Sequence, residues 1–394
     1  MKEFKCDILI VGSGLTGLVS AYALSLLGYK IIITEQKKAK KNEKFLVDTR
    51  TTAIAEGSKV FLEQIGLWNK ISKFTEKIKN IEVIDRSKTN KINFFNNNKN
   101  KNLGYVVKNL KLEKIIRSCL IKRKNVIFFY DSRFLSAEYN VDKIIGVFKN
   151  KKIISSILLA TDGKNSAVRK NFNTLTFNKN YRESALVLNF FHTKKHNNTA
   201  YEFFYKSGPL AILPMQSENL NFQSSIIWSN DKKYLSSLVL QNEKLLNDIL
   251  EENIGSVVGK IKKINSKQIF TLSSHINDKF YEKRVLYIGD SAHSIHPIAG
   301  QGWNLGLRDI KKLYNLAKEV KKIGITIGSK KFCKDYNENC YYDAFRLYQI
   351  TDKLNLFFKS NSFISNNFRS LGFDFIEKNN FIKKQITNFA MGFN

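Results

Sequence analysis

Cysteine and proline are both scarce in this chain of 394 residues. The four cysteines, Cys6, Cys119, Cys333 and Cys340, show neither the spacing of metal ligands nor that of a redox pair. We therefore expect free thiols in a reducing compartment and no disulfide framework. The three prolines, together with abundant lysine, asparagine and isoleucine, indicate a composition shaped by nucleotide bias.

Long hydrophobic runs are absent as well. No segment approaches the roughly 20 apolar residues of a membrane-spanning helix. The first apolar run, residues 7–11, begins so close to Met1 that we expect no signal or transit peptide ahead of it. The sequence thus predicts a cytoplasmic protein that associates with a membrane only peripherally. Its hydrophobic content of 43% is that of a globular protein, and its length suits two to three domains.

Acidic residues are few relative to basic ones. The chain has 34 Asp and Glu and 65 Lys and Arg, which gives a formal net charge of +31. One interpretation is that compositional bias scattered lysine over solvated faces, because pairs such as Lys37-Lys38 and Lys40-Lys41 fall in predicted loops. A second is docking onto an anionic membrane surface. Nucleic-acid binding is not expected, because no recognition helix, zinc spacing or stacking motif accompanies the lysines.

A glycine-rich segment near the N-terminus carries the first functional signal. Residues 7–11 are a short apolar run, typical of a central parallel strand buried on both faces. Three glycines follow at once. Gly12 permits a tight turn, Gly14 lets the backbone approach a pyrophosphate, and Gly17 lets the next helix lie close to the strand.

The next two elements complete a βαβ unit. Apolar residues at three- and four-residue spacing predict a helix from Leu15 that ends at Gly28. With Leu15 and Thr16 in its first turn, this helix would point unpaired N–H groups and a positive dipole end at the phosphates. A second apolar strand, residues 30–34, leads to Glu35, whose carboxylate would accept ribose hydroxyls. The unit predicts a dinucleotide-binding site.

Two later strand ends repeat this logic and favour FAD as the dinucleotide. Residues 157–163 read as a strand that delivers Asp162, and residues 285–290 as one that ends in Gly289 and Asp290. An acid at such a position can accept a hydroxyl of the ribityl chain. Three strand ends so far apart in sequence predict one extended cofactor held by a domain that is assembled from separate pieces.

The segment after Asp290 suits a flat ring. The turn Gly300-Gln301-Gly302 would let backbone N–H groups approach the ring without obstruction by side chains. The helix that begins near Trp303 would aim its positive end at the pyrimidine edge of the ring. This arrangement would stabilise the negative charge of a reduced flavin.

His293 and His296 have the H-x-x-H spacing that zinc sites use. They precede Pro297 in a predicted loop, however, and Asp290 is their only neighbouring carboxylate. Because Asp290 is already assigned to a sugar hydroxyl, we predict no metal site.

The chain as a whole predicts an α/β (α+β two-domain) fold. Residues 126–130, 144–148 and 153–160 are predicted as consecutive strands of a small meander, and residues 181–275 are rich in strands that suit a substrate sheet. Residues 342–358 and 363–375 carry apolar side chains at helical spacing, for core packing or for a basic amphipathic surface. The predicted divisions are a Rossmann-like FAD-binding domain of residues 1–80, 99–176 and 276–325, a β-sheet substrate domain of 81–98 and 177–275, and a C-terminal helical region of 326–394.

These segments resemble the FAD-dependent aromatic-ring monooxygenases, and among them the ubiquinone-biosynthesis hydroxylases. The resemblance covers nearly the whole chain, and its most specific block is residues 300–309, GQGWNLGLRD, in which Trp303 stands where similar proteins more often have Leu or Phe. The other matching segments are residues 48–53, 62–68, 103–109, 204–214 and 390–392.

The resemblance implies a reaction as well as a fold. NADH or NADPH would reduce FAD, dioxygen would add to the reduced flavin, and the flavin hydroperoxide would hydroxylate the ring of a polyprenylated phenol. The lipid tail of such a substrate would bring the enzyme to an anionic membrane surface, and other quinone-biosynthesis enzymes are possible partners. Because the flavin performs the chemistry, no catalytic triad is expected.

The resemblance also assigns residues around the ring and the phosphates. It implies that Pro297, Gly300, Gln301 and Gly302 form the pocket beside the ring, followed by Trp303 and Asn304 at the cofactor. Arg50 would reach the flavin or its phosphates, and Asn109 would face the cofactor. From the residues alone, Arg50 could equally form a surface ion pair, Asn109 a helix N-cap, and Arg117 a solvated basic residue.

Two other functions stay open from the sequence. A flavoprotein of this fold could reduce double bonds in prenyl chains without consuming dioxygen. A non-catalytic member of a quinone-biosynthesis complex could present the lipid to other enzymes, although retention of every cofactor segment disfavours it.

Overall fold

A computed structural model describes residues 1–38, 48–86, 90–96, 101–218, 220–360 and 363–393. The pair Lys40-Lys41 lies outside these residues. The described strands are β1 Lys2–Lys5, β2 Ile8–Val11, β3 Ile31–Thr34, β4 Thr51–Ala55, β5 Glu76–Ile78, β6 Asn80–Asp85, β7 Asn90–Phe95, β8 Gly104–Lys108, β9 Val126–Phe129, β10 Phe134–Tyr139, β11 Ile144–Phe148, β12 Lys151–Ser155, β13 Ile157–Ala160, β14 Thr176–His192, β15 Thr199–Tyr205, β16 Gly208–Glu218, β17 Asn221–Asp231, β18 Ile261–Asn277, β19 Tyr281–Glu282, β20 Val285–Tyr287 and β21 His293–Ser294.

Helices alternate with these strands in the N-terminal half and dominate the C-terminal quarter. They are α1 Leu15–Leu26, α2 Glu56–Gln64, α3 Trp68–Ile71, α4 Asn109–Ile121, α5 Ala167–Asn171, α6 Lys232–Leu238, α7 Glu243–Ile254, α8 Gln301–Lys322, α9 Lys330–Lys359, α10 Phe363–Lys378 and α11 Asn380–Ala390. Single 3₁₀ turns occur at Ser72–Phe74, Gly255–Val257, Gly289–Ser291 and Ile298–Gly300.

A six-stranded sheet in the order β19-β20-β13-β2-β3-β9 forms the first core, and it is parallel except at β19. Its central strands β2, β3 and β13 are apolar runs that are buried along their whole length. The chain moves from β2 outward through β3 to β9, and then returns to β13 on the other side of β2. Ligands of such sheets bind where the strand order reverses, at the carboxyl ends of the strands.

An eight-stranded, mostly antiparallel sheet in the order β21-β18-β14-β17-β16-β15-β6-β7 forms the second layer. One of its faces carries Leu186, Ile226 and Trp228, which pack against α6 and α7 through Leu235 and Leu250 in a second core cluster. The opposite face turns toward the 3₁₀ turn before α8 and toward the C-terminal helices, because its residues share apolar clusters with Ile298, Phe358 and Phe373.

The small meander differs from its prediction in two ways. Residues 153–160 form two strands, because the chain crosses at Ser155-Ser156 from β12 in a four-stranded sheet, β1-β12-β11-β10, to β13 in the parallel sheet. Strand β9 was predicted as part of the meander, but it pairs with β3 at the edge of the parallel sheet. The strand that pairs with β11 in the small sheet is instead β10, which was not predicted. A further three-stranded sheet has the order β4-β8-β5.

The C-terminal helices are partly core and partly surface. Leu347 and Phe358 are buried, whereas Leu356, Phe357 and Phe375 are exposed. None of the helices in the described ranges has the length and apolar character needed to cross a bilayer. The predicted α/β fold, with a Rossmann-like portion, a β-sheet portion and C-terminal helices, is confirmed. The domain boundaries given above stay a prediction.

Candidate active site

The turn after β2 is fixed by close contacts between backbone atoms. Gly12 has a φ of +102°, and a β-carbon there would lie 2.6 Å from the Thr161 carbonyl oxygen. A β-carbon on Gly17 would lie 2.1 Å from the Gly12 carbonyl oxygen, so α1 begins as close to the strand as the backbone allows. Gly14 differs, because a β-carbon there would meet no atom within 4 Å.

The N-terminus of α1 therefore opens onto free space. Its N-cap is Gly14, which provides no side chain to cap Leu15, Thr16 and the other residues of the first turn. Unpaired N–H groups and the positive end of the helix dipole are the elements of an anion site. This geometry fits the pyrophosphate of FAD, because Gly14, which has more room around it than Gly12 and Gly17, is also the glycine at the uncapped helix end.

Glu35 follows β3, as predicted, and it belongs to a hydrogen-bond network. Its Oε2 accepts hydrogen bonds from Ser13 N at 3.2 Å and Ser13 Oγ at 2.5 Å. The guanidinium of Arg117 donates to the Ser13 carbonyl oxygen and to Ser13 Oγ, both at 2.8 Å. Desolvation would raise the pKa of Glu35, but the hydrogen bonds from Ser13 and Lys37 and the charge of Arg117 lower it overall.

Arg117 is thus not a solvated basic residue. Besides Ser13, its guanidinium pairs with Glu113 at 2.8 Å. No sequence pattern indicated this role, because a single arginine in the middle of an amphipathic helix resembles a residue of the solvated face.

Asp162 lies at the end of β13, as predicted, but its carboxylate is partly occupied. Asp162 Oδ2 accepts hydrogen bonds from Ala167 N at 2.7 Å and Val168 N at 3.2 Å, and it thereby fixes the start of α5. Its buried Oδ1 has no hydrogen-bond partner within the ranges that the structure covers. Desolvation raises the pKa of Asp162, against the hydrogen bonds from Ser166 and from the α5 backbone.

Gly289 and Asp290 lie directly beside the first glycine turn. A β-carbon on Gly289 would lie 3.0 Å from Thr16 Oγ1, so residues 273 positions apart in sequence are in contact here. Gly289 N donates to Asp309 Oδ2 at 3.1 Å, and His293 Nε2 lies 2.7 Å from the same oxygen. The buried Asp309 therefore holds the third strand end on α8.

The Asp290 side chain is exposed to solvent and forms no hydrogen bond or ion pair with a described residue. Surrounding protein nevertheless desolvates it, which raises its pKa against the opposing charges of His293, Arg50 and Lys164. A desolvated carboxyl without a partner beside a glycine turn fits the hydroxyls of a ribityl chain.

The turn before α8 is held from two sides. Gly300 has a φ of +60° and is the N-cap of α8, without a side-chain cap. Asn304 accepts a hydrogen bond from Ala55 N at 2.9 Å and donates to the Ala53 carbonyl oxygen at 2.8 Å, so α8 is fastened to β4. Gln301 Nε2 donates to the Ala390 carbonyl oxygen at 3.0 Å, at the end of α11.

The same end of α11 also contacts α2. Gly57 N donates to the Met391 carbonyl oxygen at 2.8 Å, and a β-carbon on Gly57 would lie 2.7 Å from that oxygen. This contact gives a physical reason for the matching segment 390–392. Pro297 begins the 3₁₀ turn that leads to Gly300, whereas Gln301 and Gly302, predicted in the turn, already lie in the first turn of α8, which begins two residues before Trp303. Trp303 packs against the main core.

Arg50 forms the ion pair that the residues alone allowed. Its Nε and Nη2 donate to the two oxygens of Asp48, both at 2.8 Å, and its guanidinium lies 5.4 Å from the centre of the Phe270 ring in β18. The hydrogen bonds to Asp48 raise the pKa of Arg50 against desolvation, and the charge of Asp290 adds to this effect. Arg50 therefore lies within electrostatic reach of Asp290.

Asn109 is not a helix N-cap. It is the first residue of α4, and its Oδ1 accepts a hydrogen bond from Thr52 Oγ1 at 2.5 Å. Its side chain is also a hydrogen-bond partner of Asp48, whose pKa is lowered by this bond and by Arg50 against desolvation. A cofactor contact of Asn109 stays a prediction.

The face of the eight-stranded sheet that lies opposite α6 and α7 borders this turn, because it shares apolar clusters with Ala53 and Ile298. We call it the chamber face and define it by Val83, Glu202, Ala211, Leu213 and Ile227. Although they lie within the sheet, these five side chains keep part of their surface exposed, whereas Leu210, Ile212 and Ile226 on the opposite face are fully buried. Partly accessible and mostly apolar side chains therefore lie beside the glycine turn.

The two histidines with H-x-x-H spacing contact acidic residues separately. His293 pairs with Asp309, and His296 Nε2 lies 3.8 Å from Glu183 Oε2. Among the residues that the structure describes, no three His, Cys, Asp or Glu side chains are grouped so that they could hold a metal ion.

Comparisons with known proteins agree with this geometry. The chain is 26% identical over 387 residues to the ubiquinone hydroxylase UbiL of Rhodospirillum rubrum, covering 98% of this chain and 89% of the relative. It is 26% identical over 440 residues to the ubiquinone biosynthesis monooxygenase COQ6 of Danio rerio, covering 98% and 89%. The solved structure of p-nitrophenol 4-monooxygenase PnpA from Pseudomonas putida shares the fold, with a TM-score of 0.79, 16% identity, and coverage of 100% and 99%.

A family model described as an FAD binding domain matches residues 5–338, which include all three strand ends and the glycine turn before α8. The family predicted from the sequence is confirmed. The chain belongs to the FAD-binding family of flavin-dependent monooxygenases, and its cofactor is FAD.

Proposed function

We propose that the protein hydroxylates the aromatic ring of a polyprenylated phenol in ubiquinone biosynthesis, with NAD(P)H and dioxygen as co-substrates. One observation carries the proposal. The uncapped turn at Gly300 borders the accessible, mostly apolar chamber face, so a cofactor ring at the turn and an oily aromatic substrate would meet there. The names of UbiL and COQ6 support ubiquinone biosynthesis as the pathway.

We propose that FAD lies along the three strand ends. Arg117 and Glu35 would hold the ribose end, the first turn of α1 would hold the pyrophosphate, and Asp290 would accept the ribityl hydroxyls. The proposed cofactor-binding residues are Gly12, Gly14, Leu15, Thr16, Gly17, Glu35, Arg50, Asn109, Asp162, Gly289, Asp290, Pro297, Gly300, Gln301, Gly302, Trp303 and Asn304.

When bound, FAD supplies the electron transfer from NAD(P)H and the activation of dioxygen. The protein contributes position and environment. The N–H groups at the start of α8 would stabilise negative charge on the ring, and the apolar side chains Leu213 and Ile227 would keep water from the reacting centre. No second dinucleotide fingerprint occurs in the sequence, so the nicotinamide would bind transiently near the ring.

A lipid-tailed substrate requires access to a membrane. We propose that the protein docks peripherally on an anionic bilayer, where exposed Phe357 and Phe375 would contact lipid and neighbouring lysines would contact headgroups. The net charge of +31 favours this attraction. Association with other quinone-biosynthesis enzymes is part of the same proposal.

The experiment is turnover by FAD-loaded protein of a short-chain prenylated phenol in detergent. We expect NAD(P)H oxidation that depends on the phenol, consumption of dioxygen, and a product heavier by one oxygen atom in mass spectrometry. Expression in cells blocked at individual hydroxylation steps would then identify the ring carbon. Reduction of the prenyl chain without oxygen consumption would support the reductase alternative, and bound FAD without turnover would support a lipid-presenting role.

A matched pair of variants tests the cofactor assignment. Asp290→Ala should give colourless protein, because it removes the proposed ribityl acceptor. Asp248→Ala, which removes an exposed carboxylate from α7, should keep the full flavin spectrum. Full flavin absorbance in Asp290→Ala would refute the assignment.

A further inference from the structure

Glu202 is a carboxyl group in an apolar part of the chamber face. It lies in the middle of β15, directly opposite Ala211 of β16 on one side and Val83 of β6 on the other. Because side chains alternate along a strand, Glu202 shares its face with Ala200 and Phe204. Its nearest neighbours in both directions of the sheet are therefore apolar.

Both strand neighbours of Glu202 lead to the turn before α8. Ala200 belongs to an apolar cluster with Ala53, whose β-carbon would lie 3.5 Å from a β-carbon on Gly300. Phe204 belongs to a cluster with Ile298, which lies in the 3₁₀ turn that Gly300 closes. The two residues that flank Glu202 on its face thus share apolar clusters with residues at or beside the turn at which we place the flavin ring.

The carboxyl of Glu202 has no hydrogen bond or ion pair with any residue of the described ranges. Its side chain keeps partial access to the chamber. Desolvation, with no opposing charge, raises its pKa to about 8. Two other acids of this sheet are paired, since Glu183 contacts Lys359 and Asp85 contacts Arg369.

A carboxyl in apolar surroundings without a partner weakens the fold unless a ligand hydrogen-bonds to it. We propose that Glu202 positions the substrate by hydrogen-bonding to the hydroxyl group of the phenol ring in the chamber. A neutral carboxyl donates one hydrogen bond and accepts others, and a phenol does the same, so the two groups are complementary. This inference rests on the proposed function and adds a residue that selects phenols over ethers of the same shape.

The test compares binding of 2-geranylphenol and its methyl ether to FAD-loaded protein, followed by flavin fluorescence. The wild type should bind the phenol roughly tenfold or more tightly than the ether, because a site built for a hydroxyl rejects its analogue. In Glu202→Leu this preference should fall to about twofold or less, whereas Glu202→Gln, which keeps a donor and an acceptor, should retain part of it.

The matched control is Glu82→Gln. Glu82 lies in the neighbouring strand β6 opposite Tyr201, so its side chain is on the other face of the sheet. It should leave the preference unchanged. A merely structural role of Glu202 would change both affinities equally and would leave their ratio intact. If Glu202→Leu fails to load FAD, Glu202→Met takes its place.

The outcomes separate the two proposals. An unchanged preference in Glu202→Leu, with wild-type protein that still hydroxylates the phenol, overturns the role of Glu202 and leaves the proposed function standing. Wild-type holoprotein that neither binds nor hydroxylates the phenol overturns the proposed function and this inference with it.

Discussion

The cofactor end and the chamber face differ in how tightly their atoms are packed. A β-carbon on Gly17, at the cofactor end, would lie 2.1 Å from a backbone oxygen, whereas Leu213 and Ile227 on the chamber face keep part of their surface exposed. The cofactor end is formed by backbone atoms in contact, which leave no room for adjustment. The chamber face is formed by side chains that border open space. We therefore expect substitutions at the cofactor end to act as all-or-none changes, and substitutions on the chamber face to change affinity or stability gradually.

The largest effect is expected for Gly17→Ala. The added methyl group would collide with the Gly12 carbonyl oxygen and displace α1 from β2, at a cost of about 3 kcal/mol or more. We expect a lower midpoint of urea unfolding and no bound flavin. Gly14→Ala, three residues away with no atom within 4 Å of the added carbon, is the control and should unfold like the wild type. Equal stability of the two variants would show that close packing at Gly17 does not make the cofactor end intolerant of substitution.

Gly14→Val should separate folding from cofactor binding. The φ of Gly14 is −68°, which any residue adopts, and its surroundings are open, so the fold should be kept. The branched side chain would occupy the space at the helix N-terminus where we place the pyrophosphate. We expect colourless protein with a wild-type far-ultraviolet circular dichroism spectrum. A full flavin spectrum would contradict this placement.

Arg117→Ala should have an intermediate effect. The substitution removes two hydrogen bonds to Ser13 and the charge that lowers the pKa of Glu35, but it leaves the glycine turn intact. We expect the dissociation constant of FAD, measured by flavin fluorescence, to rise about tenfold. Arg123→Ala is the control, because it also removes an arginine, but one whose guanidinium lies over the Tyr22 ring and not at Ser13. Equal FAD affinity in the two variants would show that Arg117 does not support the site.

The smallest effect is expected for Glu202→Gln, and it depends on pH. The pKa of Glu202 is raised from 4.5 to about 8, so the folded state keeps a proton that the unfolded state loses. Wild-type stability should therefore fall relative to the variant as pH rises from about 4.5 to 8, and stay constant above.

Partial access to the chamber limits the difference at pH 8.5 to about 1–3 kcal/mol in favour of Glu202→Gln. At pH 4 the two proteins should unfold at nearly the same urea concentration. Glu82→Gln should show no such pH-dependent gain relative to the wild type. A difference of equal size at pH 4 and pH 8.5 would contradict the assignment of this titration to Glu202.

Sequence patterns predicted local elements better than their pairing. The runs that became β2, β3 and β13 were identified because strands buried on both faces are apolar throughout. The pairing of β9 with β3 was missed, because apolar residues in a strand do not specify the sheet that it joins. The break at Ser155-Ser156 was missed for the same reason, since the chain stays extended while it changes sheets.

The candidate site shows the same division. Glycines and acids at strand ends were predicted because their spacing within one βαβ unit has a physical cause. Arg117, Asp309 and Glu202 were not identified. Arg117 and Asp309 act on residues that are distant in sequence, and Glu202 lies among apolar residues of neighbouring strands. Residues 300–309 were matched as a block, but the block did not indicate that Asp309 would accept a hydrogen bond from Gly289 N.

The contacts of Gln301 with Ala390 and of Gly57 with Met391 have a consequence for biosynthesis. During translation, the glycine turn leaves the ribosome some 90 residues before the segment that braces it. The nascent chain can form the parallel sheet early, but the flavin pocket gains its last support only after residue 391 has emerged. Flavin loading should therefore follow the emergence of that residue, and a ribosome that exposes the chain only up to a point shortly before it should carry a folded but colourless protein.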